Sequence, residues 1–238
     1  MADLTSRDLT LPQPDCEGGG EIEAVAPDYT EIIVIRHGQT EWNANRRIQG
    51  QLDVDLNDVG RKQAAAVAGR LSKEPKISAV YSSDLKRAYD TAEMIANCCG
   101  VSDVFKDRNL RERHMGDLHG VVFHEAAKIR PEAHKAFLSR SRDQEIPVGG
   151  ESLNQLSERC ISALERIAKK HRGERVIVVT HGATIEELHR RGSNGMSTDY
   201  VPNTSVNVFH LFEEDKWSIK SWGDVSHLDG LFGSNGIA

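Results

Sequence analysis

Ile32-Ile33-Val34-Ile35-Arg36-His37-Gly38 and Val176-Ile177-Val178-Val179-Thr180-His181-Gly182 repeat one local design. Each is a β-branched run that suits a strand buried on both faces of a parallel sheet. Each run leads into a histidine followed by a glycine. In an open parallel sheet, ligands bind beyond the carboxyl ends of the strands, where both histidines belong. The glycines let the backbone turn sharply and approach a ligand closely. With the two strands as neighbours, the imidazoles face each other across one ligand.

Outward from these runs, apolar stretches alternate with amphipathic ones. Asn57–Leu71 has helical periodicity through Val59, Ala64, Val67, Ala68 and Leu71, with Asn57 or Asp58 as cap. Ile77–Tyr81 reads as a strand, Asp84–Asn97 as a helix and Val104–Lys106 as a short strand. A loop to about Gly120 precedes helical pieces up to Leu138, and a turn around Pro147, Gly149 and Gly150 leads into a helix from Leu153 to His171. Ile185–Arg191 reads as a helix, and Ser205–Phe212 with Trp217–Trp222 as strands joined by the polar turn Glu213–Lys216. This alternation predicts a three-layer α/β/α fold with a mostly parallel central sheet, and the last two strands predict an antiparallel edge. Residues 30–228 are expected to form a single catalytic domain, between an acidic flexible tail at 1–29 and a glycine-rich one at 229–238.

At 238 residues and 38% hydrophobic, the chain has material for one large core. A net charge of −6 argues against a nucleic-acid or anionic-membrane surface, though a site can be locally basic. Cys16, Cys98, Cys99 and Cys160 form no C-x-x-C pair, so neither a disulfide framework nor a zinc site is expected. No apolar run nears the ~20 residues of a membrane span. Residues 1–30 hold seven acids and one base, unlike a signal or transit peptide. The expected location is cytoplasmic.

Arginine sharpens the ligand. Arg36 precedes His37, and Arg87 follows the strand Ile77–Tyr81 within the first helical turn, at the same sheet edge. Planar bidentate donors with a permanent charge match phosphoryl oxygens well. Alone, Arg87 reads as a solvated helix residue. Neither a G-x-G-x-x-G turn nor a G-x-x-x-x-G-K-[ST] loop is present, so a dinucleotide or P-loop site is a poor fit.

Arg36-His37-Gly38-Gln39-Thr40-Glu41-Trp42-Asn43 resembles the signature of the histidine phosphatase (phosphoglycerate mutase-like) superfamily. So do the stretches Gly50–Asn57 with Gly60–Ala64, Ser82–Ala88 and Val179–Gly182, in order over about residues 31–222. The resemblance implies phosphoryl transfer through His37 as phosphohistidine, with Arg36, Arg87 and His181 around the phosphoryl oxygens and Asn43 as a neutral donor. It places Gln49, Gly50 and Gly182 with the substrate-binding residues. Asn109–Gly116 matches the segment that carries the family's acid, which makes Glu112 the proton donor to the leaving alkoxide and the base for water. Glu112 also has a bland reading, an ion pair with Arg108, Arg111 or Arg113.

No metal or other cofactor is expected. His114, His119 and His124 do not share a helical face, and Gly149–Ser152 reads first as a helix cap. Where the family often places an arginine after the second histidine, Glu186 and Glu187 stand instead. They suit an early helical turn, or they disfavour a strongly anionic substrate if they point inward. The expected function is a metal-independent phosphatase of small phosphorylated metabolites: sugar phosphates, phosphoglycerate-like acids or phosphoserine. The alternatives are a cofactor-dependent phosphoglycerate mutase and a non-catalytic binding protein on the same scaffold. The first is disfavoured by the short segment from Gly120 to Gly149, the second by the intact set His37, His181, Arg36, Arg87 and Glu112. The expected partner is a small phosphate ester, with a homodimer left open.

Overall fold

The computed structural model describes residues 28–198 and 200–231. Most of both expected tails, and Cys16, lie outside the described residues. Strands β1 (Tyr29–Arg36), β2 (Ala79–Ser82), β3 (Val104–Lys106), β4 (Arg175–Thr180), β5 (Val206–Phe212) and β6 (Trp217–Asp224) form one sheet in the order β3-β2-β4-β1-β5-β6. β3, β2, β4 and β1 run parallel, whereas β5 is antiparallel to β1 and β6 to β5. The two β-branched runs are therefore neighbours, with Ile35 beside Val179 and Arg36 beside Thr180.

Helices α1 (Glu41–Ala44), α2 (Asp58–Leu71), α3 (Lys86–Cys99), α4 (Ala126–Ile129), α5 (Pro131–Phe137), α6 (Leu153–Lys170) and α7 (Gly182–Gly192) complete the fold. The period-two geometry of a strand sends alternate residues to opposite faces. Ile33, Ile35, Ile177 and Val179 pack with Val67 and Leu71 of α2 and Ile95 of α3. Ile32, Val34, Val176 and Val178 pack with Leu164 and Ile167 of α6 and Leu188 of α7. Each such side chain contributes about 1.5–3 kcal/mol on burial, which fixes the unbroken apolar runs in the middle layer. A third cluster, Met115, Leu118, Ala126, Ala133 and Ile146, ties the segment after β3 to α4 and α5.

The three-layer α/β/α fold with an antiparallel edge is as the sequence predicts; some boundaries differ. α3 starts at Lys86, after a turn in which Ser83 Oγ accepts from the Leu85 N–H and Asp84 is taken by Arg111. α7 starts at Gly182, not Ile185, because the His181 carbonyl accepts from the Ile185 N–H and opens the helix three residues earlier. The loop after β3 contains short 3₁₀ turns, Arg108–Leu110 and Gly116–Leu118. Gly116 has φ +51°, and a Cβ there would lie 2.1 Å from the Pro147 carbonyl oxygen, so glycine is required.

Among the described residues no helix is long and apolar enough to cross a membrane. Cys98, Cys99 and Cys160 are free thiols. Burial pushes Cys160 up to about 12, which leaves it inert as a nucleophile.

Candidate active site

The β1–β4 register sets His37 and His181 side by side at the carboxyl edge of the sheet. Their ring centroids are 5.1 Å apart and their planes are inclined by 58°. The His37 N–H donates to the Thr180 carbonyl at 3.0 Å, carrying the ladder one residue past the strand. Asn203 Nδ2 donates to the His37 carbonyl at 2.8 Å, and the Gly38 N–H donates to Thr91 Oγ1 at 3.1 Å. These bonds fix the histidine backbone from both sides.

The His37 ring has a defined tautomer. Nδ1 lies 2.7 Å from the Gly38 carbonyl, which can only accept, so Nδ1 carries the proton. Nε2 keeps its lone pair, and Arg87 Nε donates to it at 3.3 Å. Burial, then the charges of Arg87 and Arg36, hold the His37 pKa well below the usual value, against the Gly38 hydrogen bond. Burial and the same arginines depress His181 too. Both imidazoles are neutral at neutral pH. Unlike His37, His181 has no hydrogen-bond partner at either ring nitrogen among the described residues.

The cations are held by backbone. Arg87, 1% exposed, donates to the carbonyls of Leu52 (2.8 Å) and Gly50 (2.7 Å). Burial lowers it to about 10, which leaves it charged. Arg36 Nη1 donates to the Val201 carbonyl at 2.5 Å, and its Nε, also buried, has no described partner. Gly50 has φ +51°, and a Cβ there would meet His119 Nε2 at 2.2 Å. That nitrogen accepts from the N–H groups of Gln51 and Met115, each at 3.2 Å, so His119 holds this loop. Among the described residues no three His, Cys, Asp or Glu side chains gather around a metal position. Asn43 spends its Oδ1 on the Thr40 N–H and hydroxyl in a capping box, which leaves its amide as a donor.

Arg36, His37, Asn43, Gln49, Gly50, Arg87 and Glu112 line one cavity of about 420 Å³. His181 and Gly182 are not on its wall. His181 adjoins it through the His37 ring, and a Cβ on Gly182 would come within 3.7 Å of Arg36 Nε and 3.9 Å of Glu112 Oε2. Sequence reasoning missed Arg47, Arg113, Phe137 and Leu153, which also line the cavity. Arg113 adjoins Glu112 in a matched segment and was findable; Phe137 and Leu153 arrive from distant helices and leave no local signal.

The Glu112 carboxylate is not consumed by the nearby arginines. Arg111 pairs with Asp84, Arg108 lies beside the same Asp84, and Arg113 Nε donates to the Glu151 carbonyl. Among the described residues, Glu112 accepts only backbone N–H groups, from Arg113 at 2.8 Å and Ala183 at 3.3 Å. Arg159 of α6 grips the loop beneath it, donating to the carbonyls of Asn109, Arg111 and Glu112 while paired with Glu151. Ser152 caps α6 in a capping box with Gln155, as its position predicts. The two acids of α7 diverge. Glu187 is buried against Arg142, whereas Glu186 faces the cavity. Partial desolvation of the carboxylate at that concave wall, then the charge of Glu112, raise Glu186 to about 7, against the pull of Arg36.

The Histidine phosphatase superfamily (branch 1) model matches residues 32–225. The chain belongs to the histidine phosphatase superfamily. This histidine phosphatase is 61% identical to phosphoglycerate mutase-like protein 4 of Arabidopsis thaliana over 203 residues, 85% of this chain and 88% of the relative. It is 54% identical to a metal-independent phosphoserine phosphatase of the same plant over 207 residues, 87% of each chain. A mutant phosphoserine phosphatase from Entamoeba histolytica, solved in complex with phosphoserine, superposes with a TM-score of 0.73 at 28% identity, covering 84% of this chain and 99% of that one. The protein is a phosphatase.

Proposed function

We propose that this phosphatase hydrolyses small phosphomonoesters, phosphoserine foremost, through a phosphohistidine on His37. The observation that carries the proposal is the fixed tautomer of His37, with Nδ1–H on the Gly38 carbonyl and the Nε2 lone pair directed among buried cations.

In the first step Nε2 attacks phosphorus and the P–O bond to the leaving group breaks. Glu112, protonated, gives its proton to the departing alkoxide. In the second step Glu112 takes a proton from water as the oxygen attacks phosphorus. The N–P bond breaks, neutral His37 returns and inorganic phosphate leaves. Arg36, Arg87, His181 and the Asn43 amide stabilise the charge spread over the transferring oxygens. Gln49 and Gly50 shape the pocket wall, and Gly182 leaves room for Arg36 and Glu112 at its back. Glu112 is half-buried and Glu186 exposed, so water reaches the acid. That access favours hydrolysis over mutase chemistry, which needs a phosphoenzyme shielded from water. The same reading sets the enzyme in the cytoplasm with a small ester as its partner, without nucleic acid or membrane.

The test is phosphate release from phosphoserine in the presence of EDTA, with trapping of the phosphoenzyme by a denaturing alkaline quench. Expected are chelator-resistant release and an acid-labile, alkali-stable phosphoryl group that is absent from His37→Ala. Release without that intermediate overturns the mechanism, and isomerisation of phosphoglycerate outrunning release overturns the hydrolase assignment.

A further inference from the structure

One charge in the cavity is not explained by phosphoryl transfer. Glu186 lines the same wall as Arg36 and Glu112, and its carboxylate has no hydrogen-bond or ion-pair partner among the described residues. Its neighbour shows the contrast: Glu187 turns away from the cavity and is held by both terminal nitrogens of Arg142. A free carboxylate beside phosphate-binding arginines repels a phosphate dianion and drains field from those arginines. The arrangement is self-consistent when the ligand carries a positive charge next to its phosphate.

Spacing supports this. Ala183, whose N–H binds Glu112 Oε2, lies three residues before Glu186 on α7. Residues so spaced share a helix face, with about 5–6 Å between their Cβ atoms. Glu186 is thus one turn along α7 from the amide that binds Glu112, on the same wall and near enough to feel its charge, where an ammonium two carbons from the ester oxygen can make a charge-assisted hydrogen bond of about 2.8 Å. Sharing the wall are the cations Arg36, Arg47, Arg87 and Arg113 and the acid Glu112, so Glu186 is the acid there that the reaction leaves unused.

We infer that Glu186 is a specificity-determining residue that accepts an ammonium group of the substrate, so that the preferred esters are phosphomonoesters bearing a primary amine two carbons from the ester oxygen. The inference rests on the phosphatase reading above and narrows it to a substrate class. A carboxyl titrating near neutrality fits such a role, because an approaching ammonium stabilises its charged form.

The experiment uses two matched pairs that differ only in ammonium against hydroxyl: O-phosphoserine with 3-phosphoglycerate, and phosphoethanolamine with 2-hydroxyethyl phosphate. For each pair the ratio of kcat/KM is measured on the full chain and on Glu186→Gln and Glu186→Arg. Expected is a preference for the amino member of about tenfold or more, the usual range for a hydrogen bond between charged groups. Glu186→Gln should erase the preference and Glu186→Arg should invert it. The ratio is internally normalised, so a uniform loss of activity in a variant does not obscure it. An unchanged ratio in Glu186→Gln, or a wild-type preference for the hydroxyl members, overturns the inference and leaves the phosphatase reading standing. No turnover of any of the four esters by the wild-type chain removes the proposed phosphoserine-type substrate reading on which the inference rests.

Discussion

The ends of β1 and β4 repeat one sequence design, yet their histidines are held differently. His37 is tied at Nδ1 to its own neighbour's carbonyl and at Nε2 to Arg87. His181 is as deeply buried and has no described partner at either nitrogen. A nucleophile must present one lone pair in one direction, and the first arrangement does that. A residue that stabilises transferring oxygens needs uncommitted polar atoms, and the second supplies them. The two places share a strand design and part company at the glycine. From His37 the chain turns back through Gly38 into a loop, whereas from His181 it enters α7 at once.

The comparison breaks most sharply at the nucleophile. His37→Ala should lower kcat by about 10⁴-fold or more and leave the fold intact, checked by steady-state turnover alongside circular dichroism. Retained activity would sink the asymmetry at its root. His181→Ala should cost less, about 10²–10³-fold in kcat, as removal of one transition-state donor does, and should still form a slow phosphoenzyme at His37. Equal losses in both variants would erase the division of roles.

In protonation the two histidines should behave alike. Both have folded pKa values well below the ordinary value near 6.5 that the unfolded chain shows. Below about pH 6.5 the unfolded state therefore binds protons that the folded state refuses, so stability is full at neutral pH and falls as the pH drops toward the folded pKa values. Each histidine contributes about 1.4 kcal/mol per pH unit in that window. Urea unfolding across the window should show a slope reduced by that amount in either histidine variant; an unreduced slope would place the titrating groups elsewhere. The smallest effect belongs to the support of β1. Asn203→Ala removes the donor to the His37 carbonyl and should cost about 1 kcal/mol of stability with only a few-fold loss in kcat. A loss as large as that of His181→Ala would make Asn203 part of the chemistry rather than its scaffold.

Much of the frame was legible because it rests on local pattern. The β-branched runs read as central strands, and α2 and α6 read through their apolar spacing and caps. The parallel neighbourhood of β1 and β4 was suggested by the repeated His-Gly endings. The parts that stayed hidden depend on contacts made far along the chain. Read as beginning at Ile185, α7 puts Glu186 in its first turn as a helix-dipole acid. Beginning at Gly182, it carries Glu186 one turn further along, onto the cavity wall. Glycine, alanine and threonine give little helical signal there, and the hydrogen bond that starts the helix comes from His181. For Glu112, read as the acid, the flanking arginines left an ion pair as the alternative; they are engaged by Asp84 and by the Glu151 carbonyl, in segments that adjacency in sequence does not reveal.

Arg159 clasps the acid-bearing loop by the carbonyls of Asn109, Arg111 and Glu112 rather than by their side chains. Every residue type has a carbonyl, so this clasp is indifferent to the side chains that the loop displays. Asn109 can thus change its side chain without moving the acid, whereas Arg159, which sits under the wall without lining it, cannot. A laboratory library aimed at new substrates can vary loop positions other than Glu112 and should leave the clasp alone.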